Sequence, residues 1–454
     1  MSGFLDAVLD RATLQSDVAA MQSGTRRLVG QALLDWAGCA VAGVDLRSSK
    51  IATAFAVEQG AAPRASLVGS PVLTSVAAAA FVNGIVSHAL DFDDANLLMP
   101  GHPGVVLFPP LIALAEAERR SGKSLVKAYL FGIEVASRIG RWLAPGHYAQ
   151  GFHATGTVGT FAAAAACASM MGADRGSLKH ALGLAATQAS GLIGLFGTDA
   201  KHLHAGNAAM HGYQAAWLAC QGFTARDDAL ECRQGFADTH AGSRDAGAAL
   251  ADWAWGHAVH QTLFKYHAAC YGTHAVLDCA GQVRTDPRFD VQRIRSIEID
   301  VGEECVRTCD IQDPRTEAQA KFSLRFNAVV GLIGWPTGDL ATYSAEVCAK
   351  PEVIDLQKDV WVRFVPGRPL TQADIRVTDD QGQVFSRSAD TSIPASDLDH
   401  QAERLLAKFH GLTTCRLSGP ERGALAALSQ DIDRLDDVGY LAALLRSARV
   451  HTSN

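Results

Sequence analysis

The chain has 454 residues, 48% of them hydrophobic and 19% charged, with a formal net charge of −7. That length suits roughly two or three domains and a substantial core. The acidic balance excludes the basic footprint of a nucleic-acid or membrane-surface protein, but not an anionic substrate, because local Lys, Arg and His decide that.

The first residues, Met1–Asp17, carry no basic n-region, so no signal peptide is expected. From there to about residue 265 the pattern is helical nearly throughout. In the stretch 24–42, Leu28, Ala32, Leu33, Trp36 and Cys39 repeat at helical spacing. The stretches 75–90, 111–141, 177–190 and 207–221 behave similarly. Several are apolar almost all round, as helices inside a large helical body are. Residues 157–173, mainly Ala and Gly, fall short of the roughly 20 strongly apolar residues of a membrane span and read as a buried helix.

The period changes after about residue 285. Ile297, Ile299 and Val301 alternate with polar neighbours, which is a half-buried strand, and Val360, Val362 and Phe364 repeat the signal. Ala373, Ile375 and Val377, then Val384, flank the turn-rich Asp379–Gly382 and predict a hairpin. Residues 316–335 between these strands read as one helix. Helix returns at the end: Ser396 with Asp399 opens one through Lys408, Ser418 with Pro420 and Glu421 opens another, and residues 436–449 form a third. The expectation is a mainly α fold, with a large all-helical domain from 1–267 and 405–454 and a smaller α+β domain from 268–404.

Ten cysteines are spread over the chain without a framework. They read as reduced thiols of a cytoplasmic protein, and Cys305 with Cys309 lacks the further cysteines of a zinc or iron–sulfur pattern.

Four constellations stand out. His88, Asp91, Asp93 and Asp94 precede Gly101-His102-Pro103-Gly104. Repelling carboxylates at the end of an apolar helix oppose its dipole, and beside histidines they suit acid–base or metal chemistry; the alternative is a solvated acidic loop. Gly151-Phe152-His153-Ala154-Thr155-Gly156 places His153 at a helix N-terminus, or marks close packing at the glycines. Lys201 and His204 share a face if helical, and Lys201 offers charge to a carboxylate; otherwise this is a polar loop. Lys265 through His274 is dense in Lys, His, Tyr and Cys, with Cys270 and His274 spaced as one helical turn.

At these segments the sequence resembles the MmgE/PrpD family, which includes 2-methylcitrate dehydratases, cis-aconitate decarboxylases and iminodisuccinate epimerases. The match runs through His88–Asp94, Gly101–Gly104, Gly151–Gly156, Lys201–Gly206, Lys265–His274 and Ala320–Leu324. The resemblance implies a helical domain, a smaller α+β lid and a homodimer. It implies that Asp91, His102, His153, Lys201 and Lys265 are catalytic, His102 and His153 as acid–base groups and the lysines as holders of substrate carboxylates. Asp94, His204, Cys270 and His274 are taken as substrate-binding, with no metal and no cofactor.

The implied activity is proton abstraction next to a carboxylate of a small di- or tricarboxylate, with a hydro-lyase favoured. An epimerase is the alternative, and a catalytically silent carboxylate-binding protein the rival from another class. Ala95 stands where the decarboxylases carry Thr, Cys270 where they carry His, and Phe326 where many members carry Tyr. These departures count against cis-aconitate decarboxylation.

Overall fold

In a computed structural model, residues 3–14, 23–242, 244–250 and 256–448 are described. The protein is mainly helical and divides into two compact units, one from Met1–Phe264 with Ala395–Asn454, the other Lys265–Pro394. No disulfide joins any of the ten cysteines. Among the described residues no helix is long and apolar enough to cross a membrane.

The first unit is built around the Ala-rich helix Ala154–Met170, in which every residue except Ser169 is buried. Helices Gly104–Glu118, Gly122–Leu143, Arg175–Ala186 and Ala200–Cys220 all pack on it. Small side chains set the spacing: a Cβ at Gly212 would lie 2.3 Å from the Ala163 Cβ. Helix Val76–His88, capped by Ser75, packs on Ala200–Cys220. Two short antiparallel pairs brace the loops: β1 (Ala65–Ser66) with β2 (Leu73–Thr74), and β3 (Ala95–Asn96) with β4 (Thr262–Leu263).

The C-terminal segment returns to this unit. Helix Leu398–Thr413 lies along helix Ser23–Gly43, where Gln401 Nε2 donates to Gln31 Oε1 at 2.7 Å and Gln31 Nε2 donates to the Leu398 carbonyl at 2.8 Å. Ser418 and Glu421 form the expected capping box of Gly419–Gln430.

Several boundaries differ from the periodicity. The stretch 111–141 is two helices, parted where Arg119 takes a left-handed φ of 54° and Ser121 caps the next helix. The first of them begins earlier, at Gly104, because Asp94 Oδ1 accepts the Gly104 N–H. The cap of Leu398–Thr413 is Asp397 rather than Ser396, its carboxylate accepting from two backbone N–H groups. The last helix is Gly439–Ser447, and Arg449 lies outside the described residues.

The second unit holds a four-stranded sheet in the order β6-β5-β7-β8, with β5 Ile294–Gly302, β6 Val360–Val365, β7 Gln372–Asp379 and β8 Val384–Asp390. β5 and β6 run parallel, and the other pairs antiparallel. Ile297, Ile299, Val301, Ala373, Ile375, Val377 and Phe385 are buried, and helix His274–Arg284 packs on β7 and β8. Gln381 and Gln383 donate backbone N–H bonds to Asp379 Oδ1, which closes the predicted hairpin. The expected helix 316–335 is two pieces, Glu317–Lys321 and Leu324–Ile333. Ser323 adopts extended backbone and caps the second.

Candidate functional site

The site begins where helix Val76–His88 ends. The Asp91 N–H closes a turn onto the His88 carbonyl, and Asp91 takes a φ of 51°, a left-handed conformation costly for a residue with a Cβ. The turn sets three neighbouring carboxyls to three tasks.

Asp93, 1% exposed, lies between two imidazoles: its Oδ1 is 2.8 Å from His88 Nδ1 and its Oδ2 3.0 Å from His102 Nδ1. Asp91 Oδ1 meets the Lys201 ammonium at 2.6 Å and faces His102 Nε2 at 3.9 Å. Asp94 turns to the scaffold. Its Oδ1 accepts from Gly104, and its main-chain carbonyl lies 2.7 Å from His102 Nδ1.

That last contact fixes a tautomer. A carbonyl only accepts, so His102 Nδ1 carries the hydrogen, and Nε2 keeps a lone pair directed toward the Asp91–Lys201 pair. The His102 backbone is held in turn, its N–H donating to Thr155 Oγ1 at 3.2 Å. In this arrangement His102 Nε2 is a base with a carboxylate and an ammonium beside it.

His153 stands at the N-terminal boundary of helix Ala154–Met170, and its ring lies 6.3 Å from that of His88. Its Nδ1 is 3.0 Å from His204 Nδ1, so one imidazole donates and the other accepts. Gly156 makes this approach possible. A Cβ there would sit 2.3 Å from the Ser190 carbonyl oxygen and 3.1 Å from the His204 Cβ. Lys201 and His204 do share a helix, Ala200–Cys220, and both are buried. Phe196 lies against His153 and Lys201, 4.8 Å from the His153 ring and 5.4 Å from Lys201 Nζ.

Burial sets the charge states. It lowers His88 to about 3, even against the neighbouring Asp93. Burial, then the Lys201 charge, holds His153 well below the ordinary imidazole value and also lowers His204. Burial would raise Asp93, but the facing His88 and His102 outweigh it and keep the carboxyl well below its usual range. Asp94 goes the other way: burial, with Asp35 and Asp93 nearby, pushes it well above.

His88, Asp91, Asp93 and His102 offer ligand atoms within 4.8 Å of one another and could hold a metal ion. The same atoms are engaged with one another and with Lys201 through the contacts just given, which is the wiring of a proton network.

The remaining predicted residues belong to the second unit. Lys265 is 1% exposed. Cys270 Sγ lies 3.5 Å from Cys309 Sγ. His274 Nε2 is 3.3 Å from the Ala269 carbonyl oxygen, and its ring stacks on Tyr271 at 4.9 Å. Cys270 and His274 do not share a helix. Cys270 precedes the 3-10 turn Tyr271–Thr273, and His274 opens His274–Arg284, so the pairing by helical spacing does not hold.

MmgE/PrpD N-terminal domains match residues 13–249, and MmgE/PrpD C-terminal domains match residues 267–433. The chain belongs to the MmgE/PrpD family. Curated relatives include human cis-aconitate decarboxylase, 29% identical over 385 residues, which covers 81% of this chain and 79% of the human one. The mouse cis-aconitate decarboxylase is 29% identical over 388 residues, 82% of this chain and 79% of its own. The cis-aconitate decarboxylase of Aspergillus terreus is 30% identical over 161 residues, 34% and 33% of the two chains.

In this MmgE/PrpD chain the whole histidine–aspartate–lysine cluster falls within the N-terminal match. Two of its members, His88 and Asp93, were not among the predicted site residues. The acidic run signalled that carboxylates mattered there. Which neighbour faced the histidines depended on the left-handed turn at Asp91, which no residue type at that position announces. Asp94, expected to bind substrate, accepts from the Gly104 N–H at the start of helix Gly104–Glu118, and its main-chain carbonyl lies 2.7 Å from His102 Nδ1.

Proposed function

We propose that the protein is a cofactor-independent lyase, of hydro-lyase type, acting on a small hydroxylated di- or tricarboxylate. His102 Nε2 takes a proton from the carbon next to a carboxylate. The enolate-like charge is met by the Lys201 ammonium. The β-hydroxyl then leaves as water, carrying the proton, so the step balances without an added oxidant or reductant. Asp93 stabilises the imidazolium while it exists, as an orienting carboxylate does for a general base. The chain acts as a homodimer in this reading.

The single observation that carries it is the fixed tautomer of His102, with a basic Nε2 beside an ammonium. The relatives named as cis-aconitate decarboxylases support the substrate class, a small polycarboxylate. Ala95, Cys270 and Phe326 count against decarboxylation itself. Ala95 is a buried strand residue with no hydroxyl, and Phe326 is fully buried with its ring 6.0 Å from that of Tyr343.

A second reading, epimerisation, draws on the neutral His153–His204 pair, which supplies another imidazole able to exchange a proton. Incubation of hydroxy- and unsaturated di- and tricarboxylates in deuterated water, followed by NMR, separates the cases. Water loss marks the hydro-lyase, carbon dioxide loss the decarboxylase, and deuterium uptake with unchanged formula the epimerase. Acids that raise the melting temperature with no turnover and no exchange would leave only a binding protein.

A further inference from the structure

We infer that Lys408 and Asp35 are positioning residues that hold the Asp91–Asp94 loop in its working shape. This deepens the proton-transfer reading and rests on it. Lys408 lies on helix Leu398–Thr413, in the C-terminal segment, and Asp35 on helix Ser23–Gly43. The Lys408 ammonium donates to Asp35 Oδ1 at 2.6 Å and to the Phe92 carbonyl at 2.5 Å, and sits 3.9 Å from the centre of the Phe92 ring. The two side chains are 5% and 0% exposed.

Phe92 is the residue between Asp91, which pairs with Lys201, and Asp93, which lies between His88 and His102. A cation on its carbonyl and against its ring fixes the peptide between the two working carboxylates. Burying an ammonium and a carboxylate costs several kcal/mol before pairing, and apolar residues of like volume serve stability as well or better. The left-handed backbone at Asp91 is strained and needs an external hold, and a charged group on the next carbonyl supplies one. A displacement near 1 Å at such a loop is enough to lower turnover about a hundredfold.

The test pairs an uncharged double variant with an activity-independent readout. Asp35→Asn with Lys408→Met removes both charges, so no buried charge is stranded. Protein labelled with 15N-histidine distinguishes protonated from bare ring nitrogens by NMR, and His102→Gln assigns the His102 signals. Wild type should show one His102 tautomer with hydrogen on Nδ1.

The double variant should show mixed tautomers, and turnover of 2-methylcitrate, followed in deuterated water, should fall about 10- to 100-fold in kcat with KM changed by less than about threefold. Asp35→Asn alone leaves the Lys408 ammonium on the Phe92 carbonyl but without its carboxylate, and it should show less tautomer mixing and a smaller loss of turnover than the double variant. A folded double variant with a lower melting temperature but an intact tautomer and unchanged turnover would make the pair merely structural. Equal tautomer loss in Asp35→Asn would overturn the role given to the Phe92 carbonyl. Wild type that leaves 2-methylcitrate and the other acids untouched, while the double variant still scrambles the tautomer, would sink the function reading and leave the positioning intact.

Discussion

Asp93→Asn tests the proton network with almost no change of shape. Wild-type Asp93 accepts from His88 Nδ1 at 2.8 Å through Oδ1, while its Oδ2 faces His102 Nδ1 at 3.0 Å, whose hydrogen goes to the Asp94 carbonyl. An amide accepts on one side only. With its oxygen toward His102, its NH2 faces His88 and forces that imidazole to move its hydrogen to Nε2. His88 Nε2 is buried and has no acceptor, so the new N–H is stranded at a cost of about 1–3 kcal/mol.

The catalytic cost has a separate source. The variant replaces the carboxylate 3.0 Å from a developing His102 imidazolium by a neutral amide, so a contact of charged strength, about 1.5–3 kcal/mol, falls to one of neutral strength, about 0.5–1.5. The difference is about 1–2 kcal/mol, so kcat should fall roughly 5- to 30-fold. It should not fall by the roughly ten-thousandfold seen when an orienting Asp is the sole keeper of a tautomer, because the Asp94 carbonyl still receives the Nδ1–H. The assay is the rate of solvent deuterium uptake or water loss for a turned-over acid, alongside urea unfolding. A variant within twofold of wild type would remove Asp93 from the network, and a ten-thousandfold loss would show that the carbonyl does not set the tautomer.

Lys201→Met removes the ammonium 2.6 Å from Asp91, and kcat/KM should fall about 10²- to 10³-fold, as loss of one group facing developing charge does; a change under fivefold would refute its role. Acid should destabilise the protein. His88 and His153 have folded pKa values below the ordinary 6.5, so their contribution is complete above pH 6.5 and is lost as pH falls, by up to about 1.4 kcal/mol per unit for each. Urea midpoints at pH 7.5 and 5.5 check this, and a higher midpoint at pH 5.5 contradicts it. Thorough chelation should leave turnover unchanged, and activity that vanishes and returns with added zinc or iron would instead make His88, Asp91, Asp93 and His102 a metal centre. Ser418→Ala should lower stability by about 1 kcal/mol through loss of the capping box while kcat stays within twofold.

The sequence carried the fold wherever burial imposes a period. Ile297, Ile299 and Val301 alternate because β5 has one buried face, and the Ala-rich helix lacks a polar face because its neighbours surround it. The helix breaks carried only weak signals, Ser121 before Gly122 and Ser323, both N-cap residues, which the apolar periodicity running across them outweighed. In the site, His102, His153, Lys201 and Asp91 were legible as chemistry-bearing residues in apolar surroundings. The choice between Asp93 and Asp94 was not, since neighbouring side chains on a loop point apart by an amount that backbone angles alone decide. Lys408 was beyond reach for a different reason. It is an ordinary lysine on an amphipathic helix, and only the return of the C-terminal segment, 316 residues after Phe92, makes it part of the loop.

The charges around the loop explain how a single proton can be managed in so dry a place. Lys201 is matched by Asp91 and Lys408 by Asp35, each within 2.6 Å. Burial and its two acidic neighbours push Asp94 toward its protonated form, and burial favours the neutral forms of His88 and His153. What is left unmatched is one carboxylate, Asp93, set between two imidazoles. A buried negative charge without a counter-ion is unfavourable, and a proton arriving on His102 Nε2 supplies the counter-ion at 3.0 Å. Asp91 also faces His102, 3.9 Å from Nε2, but it is already paired with Lys201, so the bias toward a proton on that imidazole comes from Asp93. Asp93→Asn removes that bias and Lys201→Met removes the partner charge. The two substitutions should therefore affect turnover by different routes, the first through the base and the second through the anion it creates.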